Sequence, residues 1–379
     1  MATKKAKTLL MVADSEHDAN MLYAVGMFVP DPFIYFRTKG RNFIVMSDLE
    51  IDRAKKQVPH CQVVSLGDCY RKLRQQGRKS NSFAEVIRMI FKEKKISGVS
   101  VPSSFPLGLA TQLSGLGIKV KPELGGFFPE RELKTASEVR KLSNALGMAE
   151  VGMAEGIQAL KSAKVGKGGR LFYNGAPLTS EKLRSIIDGA ILQKGGVGAN
   201  TIVAGGKQGC DPHERGYGPL RANEPIILDI FPRAQKTGYF GDITRTVVKG
   251  RASEALRKMY DAVHEGQKIA FNLMRADIST AKIHQAVQEL FTSKGYKTGK
   301  VNGRMEGFFH GTGHGLGLEI HEAPRVGATS TGVLKAGQVV TVEPGLYYPG
   351  IGGVRLEDVA LVTQGKPRNL TRYEKVLEV

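Results

Sequence analysis

The sequence predicts an α/β domain followed by an α+β domain that is built from a duplicated α-α-β-β unit. The chain has 379 residues, which is more than one hydrophobic core usually accommodates, so two domains are expected. Short apolar runs alternate with helical periodicity over residues 1–130, a pattern typical of an α/β domain. In residues 131–379, an order of two helices followed by two strands occurs twice.

In the first domain, four short apolar runs predict buried strands at 9–12, 43–46, 62–66 and 98–101. A helix is predicted after Ser82, because Val86, Ile87 and Ile90 recur at the spacing that places them on one face. Residues 121–129 contain prolines and glycines and separate this region from the rest of the chain. We therefore place the domain boundary near residue 130.

The second domain is predicted to begin with a capped helix, since Thr135 is followed by Glu138 at the spacing of a capping box. Apolar periodicity then predicts two similar halves. The first half has helices at 136–163 and 180–193 and strands at 225–231 and 239–248, and the second has helices at 253–275 and 279–294 and strands at 338–347 and 353–362.

Each predicted strand pair carries two carboxylates at nearly equal separations. Asp229 and Asp242 stand in the first pair, and Glu343 and Glu357 stand in the second. One carboxylate at a strand end is usually a solvated turn residue. Two acids at nearly equal separation in both strand pairs indicate a shared site. If the two halves pack face to face, the four carboxylates converge.

Converging carboxylates predict a metal centre. Without cations they would repel one another and bind protons, which costs free energy of folding. Two divalent ions remove the repulsion, and carboxylates with one imidazole suit Mn, Co, Fe or Zn. The segment 310–322 lies between the two acidic pairs and supplies His310, His314 and His321. Its glycines permit close approach of the backbone to a ligand or metal.

Other interpretations of these residues have less support. Residues 311–317 could be taken for a phosphate loop, but the spacing G-x-G-x-x-G is not met. His321 is not part of a zincin motif, because no second histidine follows at the required spacing. Asp358 could be an exposed neighbour of Glu357, since strand alternation sends the two side chains to opposite faces, with Arg355 on the face of Glu357.

The net charge of +19 would favour acidic partners or polyanions. Basic side chains cluster at Arg71, Lys72, Arg74, Arg78 and Lys79, and again at 92–95. No recognised nucleic-acid-binding motif accompanies them. We interpret the clusters as a solvated basic face and expect no nucleic-acid partner.

Composition also indicates the compartment. Cys61, Cys69 and Cys210 show no C-x-x-C spacing, so neither a disulfide framework nor a zinc knuckle is expected. No apolar run approaches the roughly 18 residues that cross a bilayer. The apolar stretch after the basic start at residues 1–5 is too short for a signal peptide. A cytoplasmic protein without a membrane partner is predicted.

Four segments together resemble the pita-bread metallopeptidases, in particular the branch of aminopeptidase P and prolidase. They are Gly-Asp-Ile-Thr-Arg-Thr at 241–246, the histidine segment at 310–322, Val-Glu-Pro-Gly-Leu at 342–346 and Arg-Leu-Glu-Asp at 355–358. The resemblance spans the chain. It implies a creatinase-like amino-terminal domain at 1–130, with Leu-Tyr-Ala-Val-Gly at 22–26 in a familiar position, and a pita-bread catalytic domain at 131–379.

The resemblance implies a ligand set for two divalent ions, with manganese expected and cobalt, zinc or iron as alternatives. Asp229 would hold one ion, Asp242 and Glu357 would bridge both, and His314 with Glu343 would complete the ligands of the second ion. Glu343 would also pass on the proton of the attacking water.

The family's substrate-side histidines match His310 and His321, with His213 as a third position. The surroundings of His213 at 212–216 depart from the usual pattern. Phe231 stands where the family commonly has glycine, and the loop from there to Asp242 is longer. These departures put the shape of the loops in doubt.

The implied activity is hydrolysis of the amino-terminal Xaa-Pro bond of short peptides by a hydroxide that bridges two metals. Aminopeptidase P and prolidase remain alternatives, because one sequence does not show whether a group binds the free carboxylate of a dipeptide. A homodimer is implied by the resemblance alone. A non-catalytic pita-bread module that binds peptide, protein or nucleic acid through its basic surface is the alternative of another class.

Overall fold

The computed structural model describes residues 7–78 and 82–379. The chain forms two compact units, Met1–Arg131 and Glu132–Val379. Within the described ranges, no helix is both long and apolar enough to cross a membrane.

The first unit is a six-stranded sheet with helices on both faces. Its elements are β1 (Leu9–Ala13), α1 (Ala19–Val25), β2 (Phe33–Thr38), β3 (Arg41–Met46), α2 (Ile51–Gln57), β4 (Cys61–Ser65), α3 (Leu66–Gln75), α4 (Phe83–Glu93), β5 (Gly98–Pro102), α5 (Leu107–Gly115) and β6 (Lys119–Glu123). The strand order is β4-β3-β2-β1-β5-β6. β1 pairs antiparallel with β2 and parallel with β5.

The alternation of β1 explains the two layers of helices. Leu10 and Val12 point into a core that includes residues of α3, α4 and α5, whereas Leu9 and Met11 point into a core with α1 and α2. The four predicted strands and the helix after Ser82 are present, and β2 and β6 are further strands that the predicted runs do not include.

The basic cluster of this unit lies on its surface, in agreement with a solvated face. Arg71, Lys72, Arg74 and Arg78 are all exposed. Lys79 and the basic start of the chain lie outside the described residues.

The second unit contains the two predicted pairs of helices. They are α6 (Ala136–Ser162), α7 (Ser180–Gln193), α8 (Glu254–Leu273) and α9 (Thr280–Ser293). Its strands are β7 (Lys164–Val165), β8 (Leu171–Tyr173), β9 (Ala176–Pro177), β10 (Gly196–Val197), β11 (Ile202–Gly205), β12 (Ile226–Ile230), β13 (Arg233–Ala234), β14 (Ile243–Val247), β15 (Gly299–Val301), β16 (Arg304–Glu306), β17 (Gly313–Gly315), β18 (Glu322–Val326), β19 (Val339–Val342), β20 (Gly345–Tyr348), β21 (Gly352–Arg355), β22 (Asp358–Leu361) and β23 (Arg368–Asn369).

The helix α6 begins at the predicted capping box. The hydroxyl of Thr135 accepts a hydrogen bond from the Glu138 amide at 3.3 Å, and the Glu138 carboxylate accepts one from the Thr135 amide at 2.8 Å. Both bonds satisfy amide groups that the first turn of a helix leaves without partners.

The prediction of continuous strands at 338–347 and 353–362 is wrong, because each is broken in the middle. Glu343 and Pro344 separate β19 from β20, and Pro344 has no amide hydrogen with which a ladder could continue. Leu356 and Glu357 separate β21 from β22. At each break the glutamate amide donates a hydrogen bond to another segment. The Glu343 amide donates to the Thr312 carbonyl at 2.8 Å, and the Glu357 amide donates to the Thr244 carbonyl at 3.0 Å.

The two halves of this unit meet at Thr244. On one side Thr244 of β14 lies opposite Asp229 of β12 in an antiparallel pair. On the other side it forms an isolated antiparallel bridge with Glu357. The acidic residues of the two halves are therefore brought together by backbone pairing.

Candidate active site

A cleft of about 850 Å³ opens in the second unit. Its walls come from both halves of the duplicated structure. The residues that line it include every predicted site residue, namely His213, Asp229, Asp242, His310, His314, His321, Glu343 and Glu357.

Three of these residues form a tight, buried cluster. Ligand atoms of Asp242, His314 and Glu357 all lie within 4.8 Å of one another. The Nδ1 atom of His314 lies 3.1 Å from the carbonyl oxygen of Gly315. Because a carbonyl can only accept, Nδ1 donates its proton there and Nε2 is the nitrogen that faces the acids. This is the ring orientation that a metal-binding histidine needs.

Glu343 joins the cluster from the break between β19 and β20. Its Oε1 lies 3.2 Å from His314 Nε2 and accepts a hydrogen bond from the Thr341 hydroxyl at 3.3 Å. Burial raises the pKa of Glu343, but the hydrogen bond and charge of His314 outweigh burial and lower it to about 2. The carboxylate is therefore ionised at neutral pH.

Asp229 stands at the edge of the cluster, held by Arg355. The Arg355 Nη2 donates to Asp229 Oδ2 at 2.7 Å. The other oxygen, Oδ1, is buried and has no hydrogen-bond partner among the described residues. A buried carboxylate oxygen left without a donor is costly, so this atom is suited to bind a cation.

The electrostatics of the cluster also fit a divalent metal. Burial, followed by the charges of neighbouring carboxylates, raises the pKa of Asp242 and of Glu357 well above the ordinary values. Two acids that resist ionisation in one place are the signature of a site that lacks a compensating charge. Oxygen donors with a single imidazole match the preferences of first-row divalent ions.

Glycines allow the ligand-bearing segments to pack this closely. A Cβ atom on Gly241, next to Asp242, would lie 2.4 Å from the carbonyl oxygen of Ala145. A Cβ atom on Gly313, next to His314, would lie 1.9 Å from the carbonyl oxygen of Thr341. Any larger residue at either position would push a ligand out of place.

The three other histidines lie along the cleft in different environments. His310 contacts the Gly311 carbonyl through Nδ1 at 2.8 Å and the Tyr347 hydroxyl through Nε2 at 2.9 Å, and burial lowers its pKa to about 4. His321 is exposed, with its ring centroid 4.4 Å from that of His314. Partial burial of its ring, followed by the charge of His314, lowers the pKa of His321 to about 4. His213 also lies on the wall of the cleft.

The structure adds residues that the sequence argument did not single out. Arg325 lines the cleft and lies directly opposite His314 in the pairing of β18 with β17. The Tyr347 hydroxyl accepts from Arg355 Nη1 at 2.9 Å and contacts His310. Arg325 could have been found from the sequence if the pairing register of β17 with β18 had been known. A β-bulge after His314 shifts that register, so the sequence pattern does not show it.

The interpretation of Asp358 as an exposed neighbour of Glu357 is wrong. Asp358 is 1% exposed and accepts a hydrogen bond from Arg245 at 2.8 Å. It faces away from the cleft, as strand alternation requires, and pairs there with a buried cation.

Comparison with known proteins decides the family. A profile of metallopeptidase family M24 matches residues 140–364. This chain belongs to family M24. The M24 chain is 35% identical over 179 residues to the Xaa-Pro dipeptidase of Pyrococcus furiosus. The aligned region covers 47% of this chain and 49% of that protein. It is 31% identical over 248 residues to an uncharacterized peptidase of Staphylococcus aureus, and that aligned region covers 65% of this chain and 64% of that protein.

The M24 chain therefore aligns in sequence with about half to two thirds of the length of these relatives. Its structure matches that of the X-Pro aminopeptidase from Thermotoga maritima MSB8 with a TM-score of 0.82 over 98% of this chain and 97% of that chain, at 21% identity. This likeness shows the fold. The predicted fold class, an α/β domain followed by a pita-bread domain, is confirmed, and membership of family M24 implies the use of divalent metal.

Proposed function

We propose that this M24 chain hydrolyses the bond between the first residue and proline in Xaa-Pro dipeptides. The observation that carries the proposal is the convergence of Asp242, His314 and Glu357 within 4.8 Å in a cleft. The similarity to a protein named Xaa-Pro dipeptidase supports the choice of substrate.

Five residues would hold two divalent ions, with manganese as the expected metal. Asp229 would bind one ion through Oδ1, the oxygen that has no other partner among the described residues. Asp242 and Glu357 would bind both ions, and His314 with Glu343 would bind the second. Bound ions of this kind lower the pKa of a coordinated water to about 7 and polarise the carbonyl under attack.

Glu343 is the proposed proton carrier. Its carboxylate lies beside the other proposed ligands, 3.2 Å from His314 Nε2, and would accept a proton from the nucleophilic water and deliver it to the leaving nitrogen. Proline leaves as a secondary amine, which must gain that proton before the bond breaks cleanly. The Thr341 hydroxyl, 3.3 Å from Glu343 Oε1, orients the carboxylate.

Arg325 would select dipeptides. Cross-strand neighbours in an antiparallel pair project from the same face of the sheet, so the guanidinium of Arg325 lies on the side of His314. A guanidinium binds a carboxylate with two parallel hydrogen bonds. The free carboxylate of a dipeptide fits this partner, and His321, His310 and His213 would contact the peptide on the same side of the metal centre.

We also propose that residues 1–130 form a creatinase-like domain that supplies no metal ligand. All eight proposed site residues lie in the unit Glu132–Val379. Asp14→Ala, in the first unit, should therefore leave the metal content of the purified chain unchanged.

The test is release of the free amino acid from matched Xaa-Pro dipeptides, Xaa-Pro tripeptides and Xaa-Ala dipeptides, with Mn²⁺ supplied and Asp242→Asn as the blank. Cleavage of Xaa-Pro dipeptides above all others is expected. Faster cleavage of tripeptides would replace dipeptidase with aminopeptidase P activity. Equal cleavage of Xaa-Ala would indicate a broader aminopeptidase, and no cleavage despite bound metal would favour a non-catalytic binding module.

A further inference from the structure

A buried histidine outside the proposed chemistry touches the segment that carries His310 and His314. His284 lies on α9, is 5% exposed and contributes to the wall of the cleft. Its Nδ1 lies 3.0 Å from the hydroxyl oxygen of Thr312. Its ring packs against that of Phe308, with the centroids 4.8 Å apart. The helix α9 therefore contacts this segment at Thr312 and the chain just before it at Phe308.

Thr312 is the middle residue of the stretch from His310 to His314. Its amide donates to the carbonyl of Val326 at 2.7 Å, and its carbonyl accepts from the amide of Glu343 at 2.8 Å. A shift of Thr312 would thus move the backbone of Glu343 as well as that of His314. The position of one residue bears on two proposed ligands.

The sequence around Thr312 explains why a side-chain anchor is needed here. Gly311 and Gly313 flank it, so between His310 and His314 only Thr312 has a side chain. Glycine gives the backbone more conformational freedom than any other residue, and this freedom must be removed to fix the segment. Backbone hydrogen bonds do part of this, and the hydroxyl of Thr312 adds an attachment through a side chain.

We propose that His284 is a positioning residue, which holds Thr312 through its Nδ1 and thereby sets the placement of His310 and His314. The part of the inference that concerns turnover rests on the proposed function. The part that concerns the order of the segment does not. The contact with Phe308, whose ring is tilted by 31° from that of His284, helps to fix the imidazole so that Nδ1 meets the hydroxyl. Burial lowers the pKa of His284, which keeps the ring neutral and able to use either tautomer.

Four variants test the proposal. Thr312→Val removes the hydroxyl and keeps the shape, and His284→Phe removes Nδ1 and keeps the ring. His284→Asn places an amide near the position of Nδ1 and should restore the contact. The double variant Thr312→Val with His284→Phe measures whether the two residues act through one bond. Gln285→Ala, at an exposed neighbour on α9 whose side chain bonds to Glu289 of the same helix, is the matched control.

Turnover of an Xaa-Pro dipeptide with Mn²⁺ gives the first readout. A hydrogen bond of ordinary strength predicts a loss of about fivefold in kcat for Thr312→Val and for His284→Phe. The double variant should lose no more than either single variant, His284→Asn should lie near the wild type, and Gln285→Ala should equal it. Additive losses, or His284→Asn as impaired as His284→Phe, would overturn the proposal.

Amide hydrogen exchange gives a second readout that needs no activity. Peptides covering residues 309–315 should exchange faster in Thr312→Val and His284→Phe than in the wild type, His284→Asn and Gln285→Ala. If the wild type does not cleave Xaa-Pro peptides but this pattern of exchange is found, the proposed function fails and the positioning role stands. Unchanged exchange in both disruptive variants, with folding shown intact by thermal unfolding, would refute the positioning role.

Discussion

Arg355 and Asp229 come from opposite halves of the duplicated unit and are joined by a hydrogen bond of 2.7 Å. Their side chains are 4% and 12% exposed. The second guanidinium nitrogen of Arg355 donates to Tyr347, whose hydroxyl contacts His310. One cation therefore orients a proposed metal ligand and, through Tyr347, a proposed substrate-side histidine.

Arg355→Met should destabilise the metal-free protein strongly, because it leaves Asp229 as a buried charge without a partner. Breaking a buried ion pair from one side costs about 3 kcal/mol or more in the free energy of unfolding. Saturating Mn²⁺ should reduce this loss, since the ion supplies the missing charge. Denaturant unfolding with chelator and with Mn²⁺ measures both values. Arg257→Met, which breaks an exposed pair with Glu378, is the control and should cost under about 1 kcal/mol.

Glu343→Gln should abolish hydrolysis while the fold is kept. The amide cannot accept the proton of the nucleophilic water, and loss of a general base typically lowers kcat by about a hundredfold or more. Steady-state kinetics at saturating Mn²⁺, with thermal unfolding as the test of folding, provides the comparison. Glu289→Gln on α9 is a suitable control, since Glu289 is exposed and accepts a hydrogen bond from Gln285 at the helix surface. Turnover of Glu343→Gln within a few fold of the wild type would remove Glu343 from the mechanism.

The stability of the metal-free protein should fall as the pH rises. Burial and neighbouring carboxylates raise the pKa of Asp242 and Glu357, so the folded state holds protons that the unfolded state releases. His310 and His321 have the opposite effect between pH about 4, their lowered pKa, and their ordinary value of 6.5. The wild type and Asp242→Asn share both histidines, so comparing these two proteins at each pH isolates the contribution of the acids.

This pH dependence can be measured by urea unfolding in the presence of chelator. Asp242→Asn should flatten the decline, because one of the two coupled acids is gone. Saturating Mn²⁺ should flatten it in the wild type, because the ion keeps both carboxylates ionised. Parallel declines in the wild type and Asp242→Asn would show that these acids do not titrate in this range.

Arg325→Gln should weaken the binding of dipeptides selectively. A charge-assisted hydrogen bond to a carboxylate contributes about 1.5 to 3 kcal/mol, which predicts a rise of about tenfold or more in KM for an Xaa-Pro dipeptide. An Xaa-Pro amide, which lacks the carboxylate, should show little change. Arg368→Gln on the exposed strand β23 is the control. Equal effects on the dipeptide and the amide would refute carboxylate binding by Arg325.

Much of the fold depends on patterns that are local in sequence. The capping box at Thr135 and the helices α6 to α9 depend on neighbouring residues, so periodicity and cap residues predict them well. The strands around Glu343 and Glu357 are different. The break after Glu343 has a local signal in Pro344, which the strand prediction did not take into account. The break at Glu357 depends on a distant partner, the Thr244 carbonyl, and leaves no local signal.

The same distinction applies to the cleft. The repeated pairs of acids and the histidine segment are visible in the sequence, and the structure brings Asp242, His314 and Glu357 together. The contacts of Arg355 with Asp229 and of His284 with Thr312 join residues far apart in the chain. An arginine in a strand and a histidine in a helix have many ordinary explanations, so only the folded chain reveals their partners.

The bridge between Thr244 and Glu357 joins the two halves of the second unit. Neither half alone holds a complete set of proposed ligands. The first half contributes Asp229 and Asp242, and the second contributes His314, Glu343 and Glu357. Two fragments divided at the loop before α8 would each be inert when alone. Activity in a mixture of them would report reassembly of the interface, so this chain is suited to complementation between separately produced fragments.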